Sequence, residues 1–240
     1  MANALSKQEN QNVYILHTYP FKETSLIVEL FSEHHGRIPV VAKGARRPRS
    51  ILRGMLQAFQ PLQATWSGNG DIKTLHNIEW SAKYLAIDGD ALICGFYLNE
   101  LLIRLLLREG THSGLFKFYH EAIEMLSLKN NLSVTLRRFE LRLLQELGYQ
   151  VPLKLDGNSQ PVLAEKVYRY QAEYGAGDSS ESKDGIKVMG QTLIDMNADN
   201  YESSQTEKQS KLLMRYLIAH YLGNKPLNSK QLFSHIQGVE

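Results

Sequence analysis

The stretch GRIPVVAKGARRPRSILRG, residues 36–54, holds Arg37, Lys43, Arg46, Arg47, Arg49 and Arg53 and no Asp or Glu. Guanidinium and ammonium groups in such a run suit one chemistry above others, the pairing of phosphate or carboxylate oxygens. Solvated faces usually mix their charges, and a segment of one sign repels itself unless a polyanion meets it. Each phosphate neutralised releases counterions, so binding here is expected to be sequence-tolerant and salt-dependent. The bland alternative is a solvated loop that contacts nothing. Tyr14, Tyr19, Phe21 and Trp66 lie nearby in sequence and have faces on which bases stack, although a folded core is expected to claim most of them.

A second group lies in LRRFELRLLQEL, residues 136–147. At 100° per residue, Leu136, Phe139, Leu143 and Leu147 form one stripe, which Leu141 and Leu144 widen. Arg137 falls inside the apolar sector, whereas Arg138, Arg142 and Gln145 fall on the polar side. A cation among leucines suits a peptide that offers a bulky apolar side chain and a carboxylate together. It equally suits an internal pair with a carboxylate such as Glu100, or an arginine that snorkels to solvent. Helical geometry leaves these readings open.

Other chemistry has no support. There is no phosphate-cradling glycine run, no G-x-S-x-G and no H-E-x-x-H. The 8 histidines are scattered, and His34 and His35 sit in a turn-like HHG. Residues 150–200 contain neither Cys nor His, so soft ligands for a structural zinc are missing there. No cofactor, no metal and no enzymatic activity are expected.

The elements that position these groups follow from periodicity. Residues 12–21, 24–33, 37–44, 56–67 and 71–80 read as five short strands, with Pro61 marking an edge or bulge and SGNGD (67–71) a hairpin turn. Five such strands suggest a small closed barrel of the OB type, with an SH3-like barrel as competitor. The basic segment falls between strands three and four. Helical periodicity then covers 90–109, stopped by Gly110, then 113–127, and 133–147 with Ser133 as N-cap and Gly148 as terminator. Residues 151–185 are loop-rich, with one strand candidate, KVYRYQ, and a flexible AGDSSESKDG at 176–185. Helices return at 191–198 and 205–222, and a last one fits 229–237. The expected class is α+β and multidomain. An OB-fold barrel spans 1–82, and a mostly helical domain spans 83–240, interrupted at about 150–190 by a small zinc-free insertion.

Formal net charge is +2, yet residues 1–85 hold 10 Lys/Arg against 6 Asp/Glu and the remainder holds 17 against 19. The positive excess is therefore local. The single cysteine, Cys94, lies in an apolar helical run and reads as a buried thiol in a reducing compartment. The polar N-terminus lacks the apolar core of a signal peptide, and no run is long enough to span a membrane. A cytoplasmic, nucleoid-associated location is expected.

Taken together, ILHTYPFKETSLIVELFSEHHGRIPVVAKGAR, LQAFQPLQATWSGNGDIKTLHNIEW, YLNELL, LRRFELRLLQELGY and GNKPLNSKQLF resemble the RecO family of bacterial recombination mediators. The matches run in order from residue 15 to residue 233. The resemblance implies an N-terminal OB-fold, a helical domain and a module between helices that carries zinc in many members. With Cys94 as its one cysteine, this chain resembles the zinc-free members. It further implies DNA repair and recombination: binding of single- and double-stranded DNA and annealing of complementary strands. It also implies capture of the acidic C-terminal tail of single-stranded DNA-binding protein (SSB) and, with RecR, loading of RecA on SSB-coated strands. On this reading DNA meets Arg37, Lys43, Arg46, Arg47, Arg49, Arg53 and Lys73. The SSB tail meets Arg137 and Arg138, with Leu136 and Phe139 as walls. Two other readings are a barrel adaptor that binds only an acidic protein, and an unrecognised nuclease.

Overall fold

The computed structural model describes residues 7–178, 184–223 and 225–229. Strands β1 (Lys7–Phe21), β2 (Ser25–Ser32), β3 (Gly36–Ala42), β4 (Leu62–Ser67) and β5 (Lys73–Trp80) close a barrel in the order β1-β2-β3-β5-β4. A one-turn helix, α1 (Leu52–Met55), lies in the β3–β4 connection. Neighbouring strands are antiparallel except β3 and β5, which pair parallel through Val40↔Lys73 and Val41↔Thr74. The interior is filled by alternating side chains such as Val13, Ile15, Val28, Leu30, Ile38, Val40, Leu62, Trp66 and Ile78. This is the five-stranded OB-like barrel that the sequence predicts. The fourth strand is shorter than expected, because residues 56–60 form turns, with Phe59 buried at φ 67°, and pairing begins just after Pro61.

Helices α2 (Gly89–Leu105) and α3 (Ser113–Ser127) follow. They share a compact unit with the barrel that runs through Leu128 and also takes in Asn228 and Ser229. Polar bonds dock them: Asn99 donates to the carbonyls of Ile15 and Leu16, and Tyr119 donates to Asn99 Oδ1 at 2.5 Å. Tyr14 Oη and His120 Nδ1 lie 2.5 Å apart. Helix α2 stops at Leu105, short of the Gly110 expected to end it. Leu106 turns out with ψ 130°, and the connector runs along β3, with Glu109 N donating to Arg37 O at 3.1 Å. The connector passes so close that a Cβ on Gly36 would stand 1.8 Å from Gly110 O, and Gly36 has φ +65°, so only glycine fits. Cys94 is buried, as expected.

The second unit is Lys129–Leu227. Helix α4 (Leu132–Glu146) is capped two residues before the predicted Ser133. Asn131, at φ 31°, accepts from Val134 N and serves as N-cap. Strands β6 (Val167–Gln171), β7 (Gly175–Asp178) and β8 (Ile186–Met189) form a three-stranded sheet in the order β7-β6-β8. The insertion thus has more strand than its sequence showed: residues 176–178 of the expected loop belong to β7, and 179–183 lie outside the described residues. Helices α5 (Gly190–Asn197) and α6 (Ser204–Leu222) complete the unit. The helix expected at 229–237 lies almost wholly outside the described residues.

Glu100 of α2 anchors the returning chain. Its carboxylate accepts from Asn228 N (2.9 Å), Ser229 N (2.8 Å) and Ser229 Oγ (2.7 Å) and pairs with Arg104 at 2.6 Å. Burial pushes the Glu100 pKa up, but these bonds and Arg104 outweigh it and hold the carboxyl below its usual range. A lowered folded-state pKa gives stability that is complete above the unfolded value of about 4.3 and fades as pH falls through the folded value. Glu100→Gln is therefore expected to lower the melting temperature at neutral pH, with the gap to wild type closing below about pH 4. Thermal denaturation of both proteins across this range checks it.

Candidate nucleic-acid interface

The β3–β4 connection is held at both ends by the core. Ala45 is fully buried in the barrel, and Leu52, Met55 and Leu56 pack against it. Between these anchors the backbone is tied into successive turns: Arg47 N to Gly44 O (3.1 Å), Ser50 N to Arg47 O (3.0 Å) and Arg53 N to Ser50 O (3.2 Å). Arg46 N donates to Thr24 O at 2.8 Å, and its guanidinium donates to Lys22 O at 3.3 Å. The segment is thereby fastened to the β1–β2 turn at 22–24, which adds the exposed Lys22.

Lys43, Arg46, Arg47, Arg49 and Arg53 are all exposed. No carboxylate among the described residues pairs with any of them. Glu23 shares the turn with Lys22 and does not pair with them either. The arrangement is a preformed cationic ledge at the barrel surface, of the kind that attracts a phosphate backbone.

Two predicted members of the set lie elsewhere. The Arg37 guanidinium, 15% exposed, donates to Ile103 O and lies 4.0 Å from Glu29. Burial lowers its pKa, opposed by Glu29. Glu29 is itself buried and also pairs with Arg108 at 3.2 Å. Arg37 therefore fastens the connector to the barrel. Lys73, also 15% exposed, pairs with Glu109 at 2.6 Å and donates to Gly70 O at 2.8 Å. Both cations are taken up by partners from distant sequence, which the local reading could not see.

Of the aromatics, Tyr14 and Trp66 are 1% and 2% exposed and are core, so they offer no face to a base. Tyr19 is exposed, edge-on to His17 with centroids 4.5 Å apart, and Phe21 is half-buried beneath Lys22. These two lead into the β1–β2 turn to which the ledge is fastened.

On α4, Phe139, Leu141, Leu143 and Leu144 are buried, as the stripe predicts, and Leu136 is half-buried. Arg137 is indeed inside the apolar sector, and its partner is Glu140 of the same helix rather than Glu100. Their side chains are 8% and 1% exposed. Arg138 is half-exposed, pairs with Asp199 at 2.7 Å and lies 6.0 Å over the Tyr201 ring. Burial, then Asp199, pushes the Tyr201 hydroxyl up to about 12. Phe139 is thus buried beneath the helix surface, and Arg138 is the more accessible guanidinium.

Residues 6–84 match the family model described as Recombination protein O N terminal, and residues 87–231 match Recombination protein O C terminal. The chain is 49% identical over 234 residues to the DNA repair protein RecO of Nitrosospira multiformis, covering 96% of this chain and 97% of that one. It is 48% identical over 231 residues to that of Aromatoleum aromaticum (95% and 96% covered). It is 42% identical over 239 residues to that of Dechloromonas aromatica (98% and 99% covered).

Removing one member of a buried ion pair strands the other charge, at about 3–5 kcal/mol, whereas replacing both with apolar groups is often neutral. Arg137→Ala is therefore expected to cause a large loss of stability, and Arg137→Leu combined with Glu140→Leu to recover most of it. Denaturant unfolding of the single and double variants measures both.

Proposed function

The chain belongs to the RecO family of DNA repair and recombination proteins, and from that premise we propose that it binds single- and double-stranded DNA through the ledge of Lys43, Arg46, Arg47, Arg49 and Arg53. The observation that carries this reading is five exposed cations, fixed by turns and unpaired with any described carboxylate, on the crossover of an OB-like barrel. Lys22 extends the ledge. Arg37 and Lys73 contribute to its fold rather than to phosphate contact. Tyr19 and Phe21 offer faces for bases. No bond of the DNA is made or broken: the ledge neutralises two strands so that complementary sequences approach and anneal. The protein then works with RecR to promote RecA loading on SSB-coated strands, in the cytoplasm at the nucleoid. Among the described residues, no helix is long and apolar enough to cross a membrane.

The SSB tail meets α4 in this proposal. Arg138 takes the terminal carboxylate, exchanging it for the exposed Asp199. Leu136, half-buried at the helix surface, receives the apolar side chain, over the buried Phe139. Arg137 holds Glu140 beneath and keeps that surface in shape.

If about four cations meet phosphates, the single-strand salt slope is roughly −3, and affinity falls about 50-fold between 50 and 200 mM salt. Replacing Arg46, Arg47 and Arg49 together with Ala is expected to flatten that slope without changing the melting temperature. An unchanged slope in an anisotropy titration overturns the ledge as the DNA site and favours the protein-only adaptor. Separately, Arg138→Ala is expected to weaken binding of an SSB tail peptide roughly tenfold, for loss of about 1.5 kcal/mol of charge-assisted bonding. Naked-strand binding should persist, because the ledge belongs to the other unit. Equal tail binding by wild type and Arg138→Ala removes that assignment.

A further inference from the structure

One side chain in the cationic segment has no use in a purely electrostatic site. Ile51 is 84% exposed, the most exposed of the large apolar side chains among the described residues. It stands between Arg49 and Arg53, two residues from each. Lone exposed apolar side chains are common and usually mean nothing. This one differs in three respects. The backbone holding it is tied down rather than loose: Ile51 has helical φ −59° and ψ −33°, and its carbonyl accepts from Gly54 N at 3.1 Å. Its neighbours Leu52 and Met55 turn toward the barrel core, so Ile51 is left outward by a built one-turn helix, not by fraying. The surrounding cations carry no partner carboxylate among the described residues, so a polyanion drawn to them is brought against this residue.

We propose that Ile51 is an apolar wedge that inserts between adjacent bases of the DNA strand held by the flanking arginines. Apolar side chains inserted at a base step unstack it and bend the strand around the protein. A β-branched side chain is stiff at χ1 and loses little rotamer freedom on insertion. Arg49 and Arg53 would take phosphates on the two sides of the step, fixing where the wedge enters. The expected occupant is a nucleic-acid base step rather than a protein surface, because the charges that flank Ile51, Arg49 and Arg53, are of a single sign. The proposal rests on the ledge being the DNA site.

The test uses the full-length protein and a single-stranded oligonucleotide with one 2-aminopurine among adenines, whose fluorescence is quenched while stacked. Wild type should raise the fluorescence on binding. Ile51→Ser should abolish the rise and weaken affinity roughly tenfold, the scale of burying one such side chain, while its salt slope stays that of wild type because no charge is removed. Ile51→Leu should restore the rise. An Ile51→Ser protein that binds and unstacks like wild type overturns the wedge. So does a wild type that binds without any rise. Failure of the underlying reading is distinguishable: there, the Arg46, Arg47 and Arg49 triple replacement leaves the slope unchanged whatever Ile51 does. Melting temperatures of the two Ile51 variants, expected equal to wild type at this exposed position, exclude misfolding as the cause.

Discussion

Closing five strands in the order β1-β2-β3-β5-β4 makes β3 and β5 parallel neighbours, and parallel neighbours cannot be joined by a tight turn. The chain must leave β3, cross the barrel surface and return as β4 on the far side of β5. That crossover, residues 43–61, is where the cations are. It is fixed at the points where it can reach the core, Ala45 and then Leu52, Met55 and Leu56. The residues between and beside those anchors have nowhere to go but outward. Barrel closure therefore both exposes Lys43, Arg46, Arg47, Arg49 and Arg53 and denies them the mobility of a free loop.

The same closure explains which cations are consumed. Arg37 opens β3 and Lys73 opens β5, and both meet the connector that leaves α2. Glu29 is only 4% exposed, and a carboxylate at that depth is tolerable only beside positive charge. Arg37 and Arg108 supply it from either side. The motif of glycine and arginine at 36–37 thus serves docking: Gly36 lets the connector pass, and Arg37 holds it. The lysine and arginines that follow the strand serve the surface. One continuous cationic stretch divides into a structural part and an exposed part at the end of β3.

How much of this the sequence discloses depends on the range of the interactions. Strands with β-branched alternation and helices with leucine periodicity are local signals, and Lys7–Trp80 and Ser113–Ser127 follow them. The α4 cap is a local signal too, but it is Asn131 rather than the expected Ser133: Asn131 lies three residues before the amide it accepts from, in a KNNLS turn. Strand β7 was not readable, since GAGD has no intrinsic strand preference and is extended only because it pairs with Val167–Gln171. The partners of Arg37, Lys73 and Arg137 were illegible for one reason. A charge run reveals the cations but not the Ile103 carbonyl, Glu109 or Glu140 that occupy them. Glu140 was the nearest of these signals, three residues on from Arg137 on the same helix.

The two units use arginine in opposite ways, and solvent exposure sets the consequence. On the ledge the five cations are exposed and unpaired with any described carboxylate, so their attraction for a polyanion is screened within a Debye length of about 10 Å at 0.1 M salt. On α4 the Arg137–Glu140 pair is nearly sealed from water, where mobile ions do not reach and screening is weak. Added salt therefore acts on the ledge and spares the helical unit's buried charge. On the proposed reading, ionic strength releases a bound strand without loosening the packing that shapes α4, because the attraction proposed to recruit the polyanion and the attraction that stabilises the helix lie in different dielectric surroundings.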